Sequence, residues 1–176
     1  MEVAEIGKVI AVLEDMCDSG IIRRYAVGGA FAATLHDEPI ATLDLDIFFS
    51  FSKEQDSPIL SLSEIYDYAR ERGFSFDHEF VDIYGWLVQF VESGKNELWL
   101  EALENAGRVM IGDNSVGVID PDYLVAMWLF AGRSKDIEKI GRFLESDLVD
   151  RRRLADIVER HGLSLKWEKE KHRFEI

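Results

Sequence analysis

The sequence predicts an α+β fold, in which a small mixed β-sheet is flanked by helices and followed by a helical C-terminal segment. Apolar residues recur at helical spacing over residues 3–17. The apolar run at residues 43–51 is typical of a strand. After Asp120 the apolar spacing is helical. We therefore expect one compact unit, with an α/β core over residues 1–120 and a helical segment over residues 121–176 packed on it.

Turn and cap residues divide the chain further. Gly20 and Gly73 are predicted to end helices, and the helix before Gly73 is capped by Ser61 or Ser63. The predicted elements are helix 3–17, strand 25–27, helix 30–35, a loop with Pro39, a strand from Leu43, helix 63–72, strands at 74–80 and 86–91, helix 96–105, hairpin 109–119, and helices 121–131, 135–146 and 148–161, the last closed by Gly162.

The charge of the chain is acidic and unevenly distributed. Twenty Lys and Arg stand against 34 Asp and Glu, a net charge of −14 at pH 7. Residues 1–120 hold 8 basic and 23 acidic side chains, a net −15, whereas residues 121–176 hold 12 and 11, a net +1. An acidic surface repels phosphate backbones at long range. We therefore expect no general DNA or RNA binding, and only local nucleic-acid contact through the C-terminal third.

The sequence contains no signal for a membrane or for an oxidising compartment. No apolar run reaches the roughly 20 residues that span a bilayer, and acids interrupt the apolar stripe near the N-terminus. Cys17 is the single cysteine and is expected to pack in the core. We expect a soluble cytoplasmic protein with no membrane partner.

Two carboxylates, Asp44 and Asp46, stand at the entrance of the apolar strand. Alternation along a strand places both on one face, about 6.6 Å apart. Like charges at this separation repel unless a cation or a shared proton lies between them. Mg²⁺, or Mn²⁺ in its place, binds carboxylate oxygens and keeps positions for water and phosphate. We interpret the pair as metal ligands at the mouth of an internal strand; the alternative is that both acids only flank a strand start and face solvent.

Gly28 and Gly29 lie between a short strand and a short helix. Glycine lets a ligand approach the backbone, and the N–H groups at a helix start favour an anion. Gly-Gly is also common in tight turns, so the pair indicates a phosphate site only together with Asp44 and Asp46.

Two stretches resemble a known family. YAVGGAFAATLHDEPIATLDLDIFF, residues 25–49, resembles the signature of the nucleotidyltransferase superfamily related to DNA polymerase beta, in which a glycine turn opens a helix and a strand with Asp-x-Asp follows. IDPDYLVAMWLFAGRSKDIEKI, residues 119–140, and HGLSLKW, residues 161–167, resemble the bacterial group that includes toxins of abortive phage infection. The resemblance extends from about residue 22 to residue 167 and implies a nucleotidyltransferase-like fold.

The resemblance also implies an activity and its participants. Gly28 and Gly29 would contact a nucleoside triphosphate, and Asp44 and Asp46 would hold Mg²⁺ or Mn²⁺. The implied reaction transfers a nucleoside monophosphate to a hydroxyl acceptor. RNA, protein and small molecules are the candidate acceptors, and a cognate protein is a candidate partner.

The resemblance places three further residues in the site. Lys135 and Asp136 would complete it from the helical segment, or they form a solvated helix start that the helix dipole favours. Arg133 would pair with phosphate as a planar donor, or it only covers the surface.

Three positions depart from the family pattern. The third carboxylate, a base or additional metal ligand, is replaced by Gln89, which cannot accept a proton. Ile40 and Trp128 stand where related proteins carry basic residues. The alternative function is therefore a catalytically degenerate fold that binds a nucleotide or a protein partner without turnover. Three acids could supply the missing base from a neighbouring strand: Asp77, Glu79 and Asp82.

Other chemistry-bearing residues allow two interpretations. His36 is a base or phosphate donor near the site, or polar surface. His78 alternates with phenylalanines and is expected in the core. The basic run RRRLADIVER, residues 151–160, would contact RNA or another acidic partner, or it forms a solvated helix face, which we favour. Trp86, Phe90, Trp99 and Trp128 are expected in the core.

Overall fold

The computed structural model describes residues 3–36, 44–52 and 58–174, in which helices cover a seven-stranded mixed sheet. The strands are β1 (Ile22–Val27), β2 (Asp44–Phe51), β3 (Ser75–Asp77), β4 (Phe80–Ile83), β5 (Trp86–Glu92), β6 (Gly107–Ile111) and β7 (Asn114–Val118). Their order is β3-β4-β5-β2-β1-β7-β6, with β2 parallel to β5, β1 parallel to β7 and the other neighbours antiparallel. The predicted α+β class is confirmed. Pro39, Ile40 and the strand start at Leu43 lie outside the described residues.

Eight α-helices are present in the described part of the chain, and the one that follows β7 lies at the centre of the helical layer. They are α1 (Val3–Asp18), α2 (Gly29–Leu35), α3 (Pro58–Glu71), α4 (Glu97–Glu104), α5 (Pro121–Ala131), α6 (Ser134–Glu145), α7 (Arg151–Arg160) and α8 (Ser164–Glu170), followed by a 3-10 helix (Lys171–Phe174). α5 packs against α6 and α7 and also contacts α2, α4 and α8, so eight of its eleven residues are buried. A helix that is apolar all round is typically buried in this way. In the described ranges, no helix has both the length and the apolar character needed to cross a bilayer.

β2 is an internal strand, as its sequence predicts. It lies between β5 and β1, and its buried residues Leu45, Ile47 and Phe49 face one side while buried Phe48 faces the other. Both faces of the strand are therefore covered beyond its first residues, and the polar entrance stands at the edge of the core.

The start of α5 is tied to the sheet and to α7 by an acid. Asp120 occupies the cap position before Pro121, but its side chain makes no cap hydrogen bond. Its carboxylate instead accepts the Gly107 N–H at 3.1 Å and pairs with Arg153 at 2.9 Å. The position of α5 is thus fixed by contacts that are distant in sequence.

The structure corrects four predictions. α3 begins at Pro58, so Ser61 and Ser63 lie inside the helix and do not cap it. The predicted strand 74–80 is divided into β3 and β4 by a turn at His78, which has a φ of +55°. The His78 side chain is 85% exposed, so the prediction that it lies in the core is wrong. A further helix, α8, follows Gly162, where only the end of α7 was predicted.

The basic run of α7 is largely bound within the protein. Arg151 donates to the Leu144 carbonyl oxygen at 2.8 Å, Arg153 pairs with Asp120, and Arg160 pairs with Glu101. These contacts support a structural role for the run.

Candidate active site

The residues that the sequence points to meet at one end of the central strands. β1 ends where the antiparallel β2 begins, with Val27 opposite Ile47. The parallel strand β5 begins at the same end and places Gln89 beside Asp46. The segment leading into α5 also starts there, because the Ile119 N–H donates to the Val27 carbonyl oxygen at 2.9 Å.

The glycine turn between β1 and α2 packs directly against β2. The Gly28 N–H donates to the carbonyl oxygen of Asp46 at 2.8 Å, and a Cβ at Gly28 would lie 2.3 Å from the Phe48 ring. Gly29 has a φ of +59°, and a Cβ there would lie 1.8 Å from Oδ2 of Asp46. A larger residue at Gly28 would overlap the Phe48 ring, and one at Gly29 would overlap the Asp46 side chain.

Asp44 and Asp46 lie on one face of β2, with Asp44 exposed and Asp46 half-buried. Burial raises the pKa of Asp46 above its usual range. The positive charge of Lys139 opposes this rise, the negative charge of Asp44 adds to it, and Arg133 and Lys135 also oppose it. A partly desolvated carboxylate beside a second acid is stabilised in its ionised form by a nearby cation. The site is therefore suited to receive further positive charge.

The start of α6 brings basic side chains to these acids. Gly132, with a φ of +66°, ends α5, and Arg133, Lys135 and Asp136 follow at once. Asp136 is completely buried, and its Oδ2 accepts a hydrogen bond from Nε of Arg133 at 2.5 Å. The alternative of a solvated helix start is thus wrong for Asp136. Lys135 is exposed, and the Arg133 side chain is 62% exposed, so a ligand has access to both.

Lys139, which was not predicted from the sequence, also acts on Asp46 through its positive charge. It lies one turn after Asp136, with its Nζ 3.5 Å from Oδ1 of Asp136 and 5.4 Å from the centroid of the Trp128 ring. Among the charged groups that act on Asp46, Lys139 has the largest effect. Its spacing of three residues from Asp136 makes the two residues neighbours on a helix surface, and this was the sequence signal for Lys139. The family resemblance indicated Lys135 instead.

Gln89 stands directly beside Asp46, where the resemblance implies a third acid. Of the three acids considered for the missing base, Asp82 lies on β4. Asp82 and Asp44 are both opposite Leu87 of β5, so their backbones are two strand spacings, about 10 Å, apart. Its carboxylate accepts the Gly85 N–H at 2.8 Å. Asp77 and Glu79 are exposed at the β3–β4 turn. None of these three acids is adjacent to Asp46 in the sheet.

The remaining candidates have contacts that suit structural roles. Nε2 of His36 lies 2.9 Å from the carbonyl oxygen of Ile119, which ties the end of α2 to the entrance of α5. Trp86, Phe90 and Trp128 are buried, as expected, and Trp99 is half-buried.

The acids fit a metal ion only in part. Among the described residues, no group of three or more His, Cys, Asp or Glu side chains is placed to hold a metal ion. Mg²⁺, however, is usually bound through one or two carboxylates together with substrate phosphates and water. Asp44 and Asp46 therefore fit a cation that is shared with a nucleotide, and they do not form a complete protein cage.

Comparisons with known proteins agree with this architecture. No family model matches the chain, and no curated protein matches it in sequence. The solved structure of the antibiotic-resistance factor ANT(2'')-Ia is similar, with a TM-score of 0.52 at 16% identity, over 97% of this chain and 95% of that one. The structure of an antigenic nucleotidyltransferase-like protein from Paracoccidioides brasiliensis is also similar, with a TM-score of 0.51 at 18% identity, over 94% and 93% of the two chains. Both similarities span nearly whole chains, and the protein therefore has the nucleotidyltransferase fold.

Proposed function

We propose that the protein binds a nucleoside triphosphate at this end of the sheet and transfers a nucleoside monophosphate to a hydroxyl acceptor. One observation carries the proposal. Asp46 lies against a glycine turn, Asp44 lies on the same face of the same strand, and the positive charges of Lys139, Arg133 and Lys135 act on Asp46. Carboxylates beside phosphate-binding groups suit a nucleotide with its cation better than they suit either one alone.

The residues have separate roles in this reaction. Gly28 and Gly29 allow the triphosphate to approach the backbone. Arg133 and Lys135 are exposed cations that would pair with its phosphates. Asp44 and Asp46 would hold Mg²⁺ or Mn²⁺, which neutralises charge at the reacting phosphate when bound.

The reaction itself joins an acceptor oxygen to the α-phosphorus and releases pyrophosphate. The acceptor hydroxyl must lose a proton, and Gln89 cannot take it. Asp82, in register with Asp44 two strands away, is our candidate for the base. RNA, protein and small molecules stay open as acceptors.

Gln89 favours a second candidate function. Without an acid beside Asp46, the same site would bind a nucleotide, or a partner protein through that site, without turnover. The two functions make the same prediction for nucleotide binding and opposite predictions for product formation.

The test is thermal stability in the presence of ATP, GTP, CTP and UTP, each with Mg²⁺, with Mn²⁺ and with neither. A ligand at 100 times its dissociation constant adds about 2.7 kcal/mol to the free energy of unfolding. We expect a metal-dependent shift that Asp44→Asn abolishes. Asp113→Asn is the matched control, because Asp113 is an exposed acid in the β6–β7 turn. An unchanged shift in Asp44→Asn, or no shift with any nucleotide, would contradict the proposal.

A further inference from the structure

A surface cavity of about 420 Å³ lies between α1, the end of α3 and the turn that joins β4 to β5. It is lined by the aromatic side chains of Tyr68, Phe74 and Tyr84 and by the cations Lys8 and Arg72. None of the described residues that line it belongs to the candidate active site. Sites for small molecules are typically clefts of about 300–1,000 Å³ with aromatic walls and a few polar groups. We call this feature the Tyr84 cavity.

Tyr84 has a backbone conformation that is unfavourable for its side chain. Tyr84 and Gly85, with φ of +54° and +85°, form the two-residue connection between β4 and β5. A hairpin turn with positive φ at both positions prefers Asn or Asp before the glycine, and a bulky side chain at positive φ is rare. Strained residues of this kind cluster at ligand and active sites. Tyr84 is nevertheless 49% exposed, so the strain holds an aromatic ring at the surface of the cavity.

The charged side chains of the cavity favour an anion. The carboxylate of Asp15 pairs with Arg72 and accepts a hydrogen bond from the Tyr68 hydroxyl. Two cations and one carboxylate give the described lining a net charge of +1, whereas the whole chain carries −14. Cζ of Arg72 lies 3.5 Å from the Tyr68 ring centroid. The Lys8 ammonium lies 5.5 Å from the Tyr84 ring centroid, so positive charge and aromatic surface meet in one cavity.

We propose that the Tyr84 cavity binds a small planar aromatic monoanion, of the class of aromatic carboxylates. The ligand ring would lie against Tyr84 and Phe74, whose own rings meet edge to face at 5.5 Å. The ligand carboxylate would pair with Lys8 and Arg72. A nucleoside triphosphate carries several negative charges, which the lining does not balance. The ligand therefore differs from the proposed nucleotide, and the inference does not depend on the proposed function.

The first measurement is a titration of the ¹⁵N-labelled protein, followed by the NMR shifts of its backbone amides. The probe is indole-3-acetate, a planar aromatic carboxylate. We expect saturable shifts at the amides of Phe74, Tyr84 and Gly85. Indole-3-acetamide lacks the charge and cyclohexylacetate lacks the planar ring, so the affinity of each should be lower by about threefold or more. No saturable shift at these amides, or equal affinity for the three compounds, would overturn the inference.

Tyr84→Asn tests the aromatic ring. Asn tolerates positive φ, so the variant should fold, and it should bind indole-3-acetate about threefold or more weakly because the ring is lost. His78→Asn is the matched control, because His78 also has a positive φ, of +55°, in the β3–β4 turn outside the cavity. It should bind with native affinity. Native affinity in Tyr84→Asn would overturn the inference, and Tyr84→Gly, which tolerates the same φ, replaces this variant should it not fold.

Lys8→Gln tests the charge. The variant should lose part of the preference for indole-3-acetate over indole-3-acetamide, because one of the two cations that face the carboxylate is gone. Lys95→Gln removes the same charge beyond the opposite end of β5 and should keep the full preference. Full preference in Lys8→Gln, or an equal loss in both variants, would overturn the inference.

Discussion

The carboxylate of Asp46 packs so closely against Gly29 that a Cβ at position 29 would lie 1.8 Å from Oδ2 of Asp46. The two residues are 17 positions apart in sequence, yet each restricts the other. A side chain at position 29 would push the Asp46 carboxylate from its place, so the glycine is needed for the acid to lie at the turn. The proposed phosphate-binding turn and the proposed metal ligand Asp46 are thus in direct contact, and a change in one should disturb the other.

Gly29→Ala should therefore damage both stability and nucleotide binding. The substitution forces a side chain into a positive φ, which costs about 1–2 kcal/mol, and it adds the overlap with Asp46, for which overpacking costs about 1–3 kcal/mol. Denaturant unfolding measures the loss of stability, and the thermal shift with nucleotide measures the loss of binding. Gly73→Ala is the control, because Gly73 has a φ of +75° with no atom within 4 Å of a Cβ placed there. Equal losses at the two positions would mean that the contact with Asp46 is unimportant.

Asp46→Asn should stabilise the protein at pH 7 while it abolishes metal-dependent nucleotide binding. Burial raises the pKa of Asp46, although the charge of Lys139 opposes this. A raised pKa means that the folded state disfavours the ionised acid, so stability is lost as the pH rises through that pKa. Removal of the charge should recover about 0.5–2 kcal/mol, the usual range of stabilising substitutions.

The pH dependence provides the check on that prediction. The advantage of Asp46→Asn should shrink on acidification, because the native acid becomes protonated and then resembles the amide. Thermal melts of both proteins between pH 4 and pH 7.5 in about 0.1 M salt give the comparison. An Asp46→Asn variant that is less stable than the native protein at pH 7 would show that Asp46 has a stabilising partner in the absence of ligand.

Glu101→Gln should destabilise the junction between α4, α5 and α7. Glu101 accepts hydrogen bonds from Tyr123 at 2.8 Å and from Arg160, and its Oε2 lies 2.8 Å from Nε2 of His161. Partial burial raises the pKa of Glu101, but these partners outweigh it and lower the pKa overall. Hydrogen bonds to a charged group contribute about 1.5–3 kcal/mol, so we expect a loss at pH 7 of about this size or less, given partial exposure.

The sign of the pH effect at Glu101 is opposite to that at Asp46. A lowered pKa gives stability that is present above about pH 4.3, the usual value for an unfolded Glu, and is lost as the pH falls through the native pKa. The difference between the native protein and Glu101→Gln should therefore shrink below pH 4. Glu104→Gln, an exposed neighbour on α4, should show neither effect. A constant difference across this range would attribute the loss to packing.

Local sequence patterns predicted much of the fold and one side of the candidate site. The alternation of β2, the start of α5 after Asp120 and the Gly28–Gly29 turn each depend on neighbours within a few residues, so they are visible in the sequence. The spacing of Lys139 from Asp136 was visible in the sequence, but its effect on the pKa of Asp46 was not, because that effect joins residues 93 positions apart in the chain. His78 was misplaced because the alternation suggested a continuous strand, whereas a turn with a positive φ divides it.

Gln89→Asp tests whether the native site is degenerate. The new acid would stand beside Asp46, and like charges on adjacent strands destabilise by about 0.2–1 kcal/mol. We therefore expect the variant to be less stable than the native protein without metal, and to gain more stability than the native protein from Mn²⁺.

If the native site is degenerate, the variant should also gain transfer of label from α-³²P nucleoside triphosphates to RNA or protein of a cell extract. Gln89→Asn, which adds no charge, should change neither the metal response nor the transfer. Transfer by the native protein that Gln89→Asp does not increase would show that this site uses another base, and Asp82→Asn should then remove the activity.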